Sequence, residues 1–212
     1  MELAMDLQRK MSRSERKRQA ILNVALALFL DKGYTATSMD EIATGAAVSK
    51  QTVYQHFSSK ENLFQTLVTD ICDQAAAISE GIEQQLATVE ELAPGLHTLA
   101  QSYLRNVIKP EVMKLRRLII AEKERFPDIA SHYHAAAPGS ALNALAKGFA
   151  QLQNRQLLNS NSDPMVLAEM FAYTLLGPFI DKALFLGNYP SEPEIEQFIA
   201  ARIDHLIAIM RP

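Results

Sequence analysis

Along almost the whole chain the apolar residues recur at intervals of three and four rather than two, a period that fits helices and excludes a half-buried sheet. Ile21, Val24, Ala25, Leu28 and Phe29 fall on one face of a helix expected over about residues 13–32, and Gly33 follows as a residue able to take the left-handed conformation that ends it. Phe64, Leu67, Val68, Ile71, Ala75, Ile78, Ile82 and Leu86 continue the same period, which predicts one long helix joining two domains. Further helices are expected near 93–109, 111–124, 138–157, 164–186 and 192–210, with a short helical turn at about 128–135. Their limits are drawn from Pro94, Pro110, Pro127, Pro138, Pro164 and Pro190, each better suited to a boundary or a first turn than to a helix interior. Pro178, next to Gly177, should kink or interrupt the 164–186 segment. With no alternating run anywhere, the expected fold class is all-α.

A chain of 212 residues, 48% of them hydrophobic, can bury one sizeable core beside a small accessory domain. Cys72 is the single cysteine, so no intrachain disulfide or multi-cysteine zinc site can form, and its place on a helix-period stretch points to a buried thiol in a reducing compartment. The longest apolar stretch, Ile21 to Leu30, is broken by Asn23 and falls short of the roughly 20 residues a bilayer span needs. No leader-like apolar segment opens the chain. The expectation is a cytoplasmic protein with no membrane partner.

Charge is divided unevenly. Residues 1–60 hold nine Lys/Arg against six Asp/Glu, whereas residues 61–212 hold twelve against eighteen. Either the front of the chain meets a polyanion, or Arg13, Arg16, Lys17 and Arg18 form an ordinary solvated helix face. An enzyme lacks its ingredients: there is no G-x-S-x-G, G-x-G-x-x-G, P-loop or H-E-x-x-H. His132 and His134 are two apart and do not share a helical face, so they do not converge on one ion. No catalytic residue, metal or cofactor is expected.

The most informative stretch is 37–64. Ser38-Met39-Asp40-Glu41 has the S-x-x-E spacing of a capping box, Ser49 is a good N-cap, and Ser58-Ser59-Lys60-Glu61 repeats the box. Two short helices result, about 39–46 and 50–57, joined by a tight turn at 47–49. That unit of about 20 residues is the size in which the second helix can lie in a DNA major groove. On the second helix Val53 and Phe57 point one way, while Gln51, Thr52 and Gln55 point away, flanked by Lys50, Tyr54 and His56. Gln can pair with adenine, Thr can reach a base edge or a thymine methyl, and Tyr can donate to phosphate. Lys50 and Lys60 both sit in a first helical turn, where the helix dipole disfavours a cation. Either they clamp the DNA backbone together with the caps at Thr37, Ser38 and Ser49, or the serines only cap and the lysines are only solvated. Arg9, Lys10 and Arg13 can reach a neighbouring groove.

Gly33-Tyr34, then Thr37 to Ala43, then Val48 to Leu63 with the pattern V-S-x-x-T-x-Y-x-x-F-x-x-K-E-x-L, resembles the DNA-binding domain of TetR-type regulators. The resemblance covers about residues 13–64. It implies an all-helical homodimer with an N-terminal helix-turn-helix domain at 1–62, followed at 63–212 by a larger helical domain for ligand binding and dimerisation. It also implies that Lys50, Gln51, Thr52, Tyr54, Gln55 and His56 meet double-stranded DNA, with Ser38 and Lys60 on phosphates. One position departs from the pattern: Ala47 stands in the turn where the family usually has glycine, so a positive φ there would carry a modest strain. Arg116 to Glu122 and Arg125-Phe126-Pro127 are similar to the C-terminal domain of the AefR-like branch, although the same arginines also suit a solvated face.

The expected activity is therefore that of a repressor, bound to a near-palindromic operator and released by a small apolar or amphipathic effector. The expected subunit contact pairs Leu142, Leu145, Phe149 and Leu152 with Leu167, Phe171, Leu175 and Phe179 across a two-fold axis. Pocket candidates are Tyr103, Met113, Phe126, Tyr133, Phe149, Tyr173 and Phe179, aromatic or polarisable side chains that at helical spacing also suit a plain core.

Overall fold

The computed structural model describes residues 12–211, and Arg9 and Lys10, read above as groove contacts, lie outside them. Helix α1 (Arg13–Ala36) starts at Ser12, whose hydroxyl accepts from the Glu15 amide while the Glu15 carboxylate accepts from the Ser12 amide. It breaks at Gly33 (φ 84°, ψ 169°), where the sequence placed its stop, and one further turn seats Tyr34 in the core. Helices α2 (Met39–Gly45) and α3 (Lys50–His56) start at Ser38 and Ser49 as their caps predict. The long α4 (Lys60–Ala87) is capped by Ser59, which accepts from the Asn62 amide, and not by Ser58. Moving the cap by one residue puts Asn62 in place of Glu61 three residues on, so the reciprocal box expected there does not form.

Helices α5 (Leu92–Val107), α6 (Pro110–Ala121), α7 (Pro127–His134), α8 (Ser140–Asn154), α9 (Pro164–Asp181) and α10 (Glu192–Met210) complete the chain, with no strand among the described residues. Pro110, Pro127 and Pro164 each open a helix, where the missing N–H is not needed. Pro138 does not mark a boundary. It sits inside a π turn (Ala135–Gly139) that joins α7 to α8 without interruption, and the wider turn accommodates a ring that an α-helix interior would reject. Likewise α9 runs through Pro178 to Asp181 before loosening into a second π turn (Lys182–Leu186), which Gly187 ends at φ 66°.

Two apolar clusters hold the fold. The first joins α1, α2, α3 and the first half of α4, centred on Phe29, Tyr34, Phe57 and Phe64, and it also takes Leu115, Leu118 and Ile119 from α6 and Tyr133 from α7. Phe126 seals this junction, with its ring 5.0 Å from Tyr34 and 5.4 Å from Phe64. The second cluster joins the rest of α4 to α5, α8, α9 and α10. Here α4 and α8 approach so closely that a Cβ on Gly148 would stand 2.2 Å from Leu86 Cδ1 and 2.7 Å from its Cβ.

The stripes expected to meet across a dimer axis meet within one chain. Leu145, Phe149 and Leu152 on α8 are buried with Leu167, Phe171 and Leu175 on α9, and the Phe149 and Phe171 rings stand edge to face at 5.7 Å. Leu142 and Phe179 are partly buried against the same cluster. Burying each such side chain stabilises the monomer by about 1.5–3 kcal/mol, so these faces are not free to bind a partner.

Candidate functional site

The turn between α2 and α3 is drawn tight by two backbone hydrogen bonds, from the Ala47 amide to the Thr44 carbonyl (3.1 Å) and from the Val48 amide to the Ala43 carbonyl (3.0 Å). Closing it puts Ala47 at φ 51°, the left-handed region that a Cβ disfavours. This is the strain that alanine in place of glycine implied. One edge of α3 is then fixed by Val53 and Phe57, both fully buried, and the Arg18 guanidinium lies 5.6 Å from the Phe57 ring. The opposite edge presents Lys50, Gln51, Tyr54 and Gln55 to solvent, with Thr52 and His56 half-buried at its flanks and Tyr54 45% exposed.

The caps are engaged locally. Ser38 Oγ accepts from the Glu41 amide at 3.2 Å and donates to its carboxylate at 3.1 Å. Lys32 also donates to the Glu41 carboxylate, and these bonds, that from Lys32 first, hold its pKa down at about 2. Ser49 Oγ accepts from the Thr52 amide and lies 2.8 Å from the Thr52 hydroxyl. Lys50 reaches back to α2, its Nζ 2.7 Å from Asp40 Oδ1, and this bond raises the lysine pKa. An exposed pair of this kind contributes little to stability, so its ammonium stays exchangeable.

Two expected backbone-clamp residues face inward. Thr37 is 1% exposed and its hydroxyl donates to the Gly33 carbonyl at 2.9 Å. Lys60 Nζ donates to the carbonyls of Tyr34 (2.9 Å) and Thr37 (2.8 Å) and stands 4.4 Å from the centre of the Tyr34 ring. The unfavourable place of this lysine in a first helical turn has an internal reason: it donates to carbonyls where α1 breaks and ends, that of Thr37 and, beside the Thr37 amide, that of Tyr34. The basic start of α1, in contrast, comes beside the turn, with Arg13, Arg16 and Lys17 lining a shallow groove together with Ala46, Ala47 and Val48.

The second cluster is not solid. Between α4, α5, α6, the α7–α8 junction and α9 lies a cavity of about 270 Å³. Three of the expected pocket residues, Tyr103, Tyr133 and Tyr173, line it. The other four do not: Met113 and Phe149 are fully buried in the core, Phe126 packs on Tyr34, and Phe179 meets Phe198 edge to face at 4.6 Å. Sequence reasoning missed Ile78, Leu142, Leu176 and Arg116, which also line the cavity, because a period shows that a residue faces inward and not whether it meets a neighbour or a void. Burial pushes the Tyr103 phenol up to about 12, so it is a neutral hydrogen-bond donor at ordinary pH. Cys72 is buried and its pKa is raised by burial, as befits an unreactive thiol. His132 and His134 are exposed on either side of buried Tyr133, and no group of three possible metal ligands occurs among the described residues. No helix among them is long and apolar enough to cross a membrane.

Residues 21–67 match the sequence model of the bacterial regulatory proteins of the tetR family, and residues 94–209 match that of the AefR-like transcriptional repressor C-terminal domain. A Mesorhizobium loti protein described as a TetR-family transcriptional regulator is 35% identical and superposes over 95% of this chain and 100% of its own, with a TM-score of 0.86. The flavonoid-responsive regulator FrrA is 30% identical over 93% of this chain and 98% of its own, with a TM-score of 0.69. Among curated relatives, the transcriptional activator FasR of Mycolicibacterium smegmatis is 35% identical over 94 residues, which are 44% of this chain and 41% of FasR. The matched stretches thus span less than half the length of the first curated relatives, while the similar solved structures are covered almost completely.

Proposed function

The chain belongs to the TetR family of bacterial transcriptional regulators, and from that premise we propose that it represses transcription as a homodimer that binds a near-palindromic operator through α3 and leaves it when a small apolar or amphipathic molecule fills the cavity. The observation that carries this reading is the division of α3 into an edge locked by Val53 and Phe57 and an opposite edge of exposed Lys50, Gln51, Tyr54 and Gln55. Gln51 and Gln55 supply bidentate amides for adenine, Thr52 a hydroxyl for a base edge, and Tyr54 and His56 donors for the backbone. Lys50 exchanges Asp40 for a phosphate, Ser38 and Ser49 lie at the same rim, and Arg13, Arg16 and Lys17 beside the turn add positive charge. Thr37 and Lys60 instead hold the end of α1, from which α2 departs.

A partner subunit is best accommodated on α9 and α10. Val166 and Tyr173 on α9, Phe185 in the π turn that follows it and Ile209 on α10 are large apolar side chains that remain exposed after the monomer core has closed. A two-fold dimer spaces two α3 helices about one DNA turn apart, roughly 34–36 Å, or at another groove-matched distance. Release follows from shared walls: Leu115 and Tyr133 belong to the cluster under α1–α3 and also line the cavity. A molecule there lowers operator affinity by its own preference between the two arrangements of those walls.

Selection of bound duplexes from a random pool, followed by salt titration of the winner, tests the reading. An enriched palindrome, weaker binding of every sequence by Tyr54→Phe, and lost preference at one base pair in Gln51→Ala are expected. No enrichment by folded, ligand-free protein, or light scattering that finds only monomer, would remove it.

A further inference from the structure

Adjacent arginines on α6 have opposite fates. Arg117 donates to the carbonyls of Ala183 (2.6 Å) and Leu184 (3.5 Å), which ties α6 to the π turn after α9. Arg116 instead lines the cavity, and its Nε is sealed from solvent without a hydrogen-bond partner. It takes part in no ion pair among the described residues, while Arg18, Arg105 and Arg125 each have a carboxylate within 4 Å. No other charged residue lines the cavity. The remaining polar groups on its wall, including Gln74, Asn106 and the neutral phenol of Tyr103, all can donate a hydrogen bond. A neutral apolar guest would leave the sealed Nε donor unpaired, and a cationic guest would be repelled by the guanidinium. A polyanion would lack a second cation, and the cavity lies just below the roughly 300–1,000 Å³ usual for ligand pockets.

Resting on the reading of this cavity as the effector site, we propose that the effector is a small amphipathic monoanion whose single carboxylate or phenolate pairs with Arg116 while its hydrocarbon body lies along Ile71, Ile78, Leu142, Leu176 and Ile180. Arg116 thereby selects the charge of the guest, and the apolar walls select its bulk. Ala137 and Pro138 of the first π turn line the same cavity, so a bound molecule also bears on the junction between α7 and α8.

Calorimetric titration of the full-length protein with two acid–alcohol pairs, decanoate with decanol and naphthoate with naphthylmethanol, tests charge selection with a flexible and a rigid body. At least one acid should bind about tenfold or more tighter than its alcohol, the range of a hydrogen bond to a charged group. Arg116→Gln should abolish that preference while changing alcohol binding by less than about twofold, and Arg116→Lys should restore part of it. Retained alcohol binding shows that the Gln variant is folded at the site. Both alcohols binding as well as their acids, or an Arg116→Gln variant that keeps the preference, overturns the proposal and leaves the cavity as a site for neutral molecules. If all four probes fail to bind, or if Ala75→Phe, which narrows the cavity, leaves their binding unchanged, the effector-site reading itself falls.

Discussion

Replacing Lys60 by Met separates a helix-end role from a DNA-backbone role, because the two predict opposite readouts. Met keeps the length of the unbranched side chain and removes the ammonium, leaving the Tyr34 and Thr37 carbonyls, now accepting at 2.9 and 2.8 Å, without their shared donor. A hydrogen bond to a charged group contributes about 1.5–3 kcal/mol, and the two bonds share one half-exposed cation, so they do not add fully. With the ring contact at 4.4 Å adding about 0.5–1 kcal/mol, the variant should lose roughly 2–3 kcal/mol of unfolding free energy. For a chain of this size that is a fall in Tm of roughly 4–12 °C by calorimetry. A backbone contact would instead remove one phosphate per subunit, flattening the slope of log affinity against log salt by about 0.9 per contact. The expected result is a lowered Tm with the salt slope of operator binding preserved. An unchanged Tm with a flatter slope would refute the reasoning and return Lys60 to the interface.

Gly148→Ala puts a Cβ against Leu86 Cβ and Cδ1; the methyl of Leu86 can turn aside but its Cβ cannot, so α4 and α8 must part, and a loss of about 1–3 kcal/mol in denaturant melts is expected despite the better helix propensity of alanine. No loss of stability would show that the two helices adjust freely. Ala47→Gly relieves the left-handed turn at an exposed position, and after allowance for the extra freedom of glycine in the unfolded chain it should raise stability by up to about 1 kcal/mol, a sign that urea midpoints can check. Glu41 is held at about 2 in the folded chain, below its ordinary value of 4.5, so what it contributes is present above about pH 4.5 and is lost as pH falls toward 2. Glu41→Gln should flatten the acid limb of a Tm-against-pH profile, and an identical acid limb in the variant would contradict this.

The fold was legible wherever a local signal had one meaning. Ser38 and Ser49 cap the helices that their sequence positions announced, Gly33 breaks α1, and the short spacing from Ser38 to Phe57 allows only two brief helices and a turn. Proline was ambiguous: Pro110, Pro127 and Pro164 start helices, whereas Pro138 and Pro178 lie inside helical runs, each near a π turn that no composition signal marks. Lys60 was read from the helix dipole and the family resemblance, since the carbonyls it serves lie 23 and 26 residues away in sequence and become neighbours only when α1 breaks and Tyr34 turns inward.

Helical period identifies an apolar face but not what covers it, and this is why the faces of α8 and α9 were matched correctly to each other and wrongly to a second subunit. The same ambiguity governed the cavity. Tyr103 and Phe149 look alike as inward aromatics, yet one lines a void and the other fills the core beside Phe171. What distinguishes the cavity wall is a charge out of place, since the arginine that lines it with Tyr103, Leu142 and Leu176 has no partner for its buried Nε. Arg117, one residue on, shows the alternative, a guanidinium placed on backbone carbonyls that pins α6 to the end of α9. With Arg117 fixing one side of α6 and Leu118 and Ile119 packed under α1–α3, a change in the cavity felt by Leu115 has little freedom to dissipate locally. Under the proposed function, that rigidity makes α6 the element whose two arrangements the operator and the effector would bias in opposite directions.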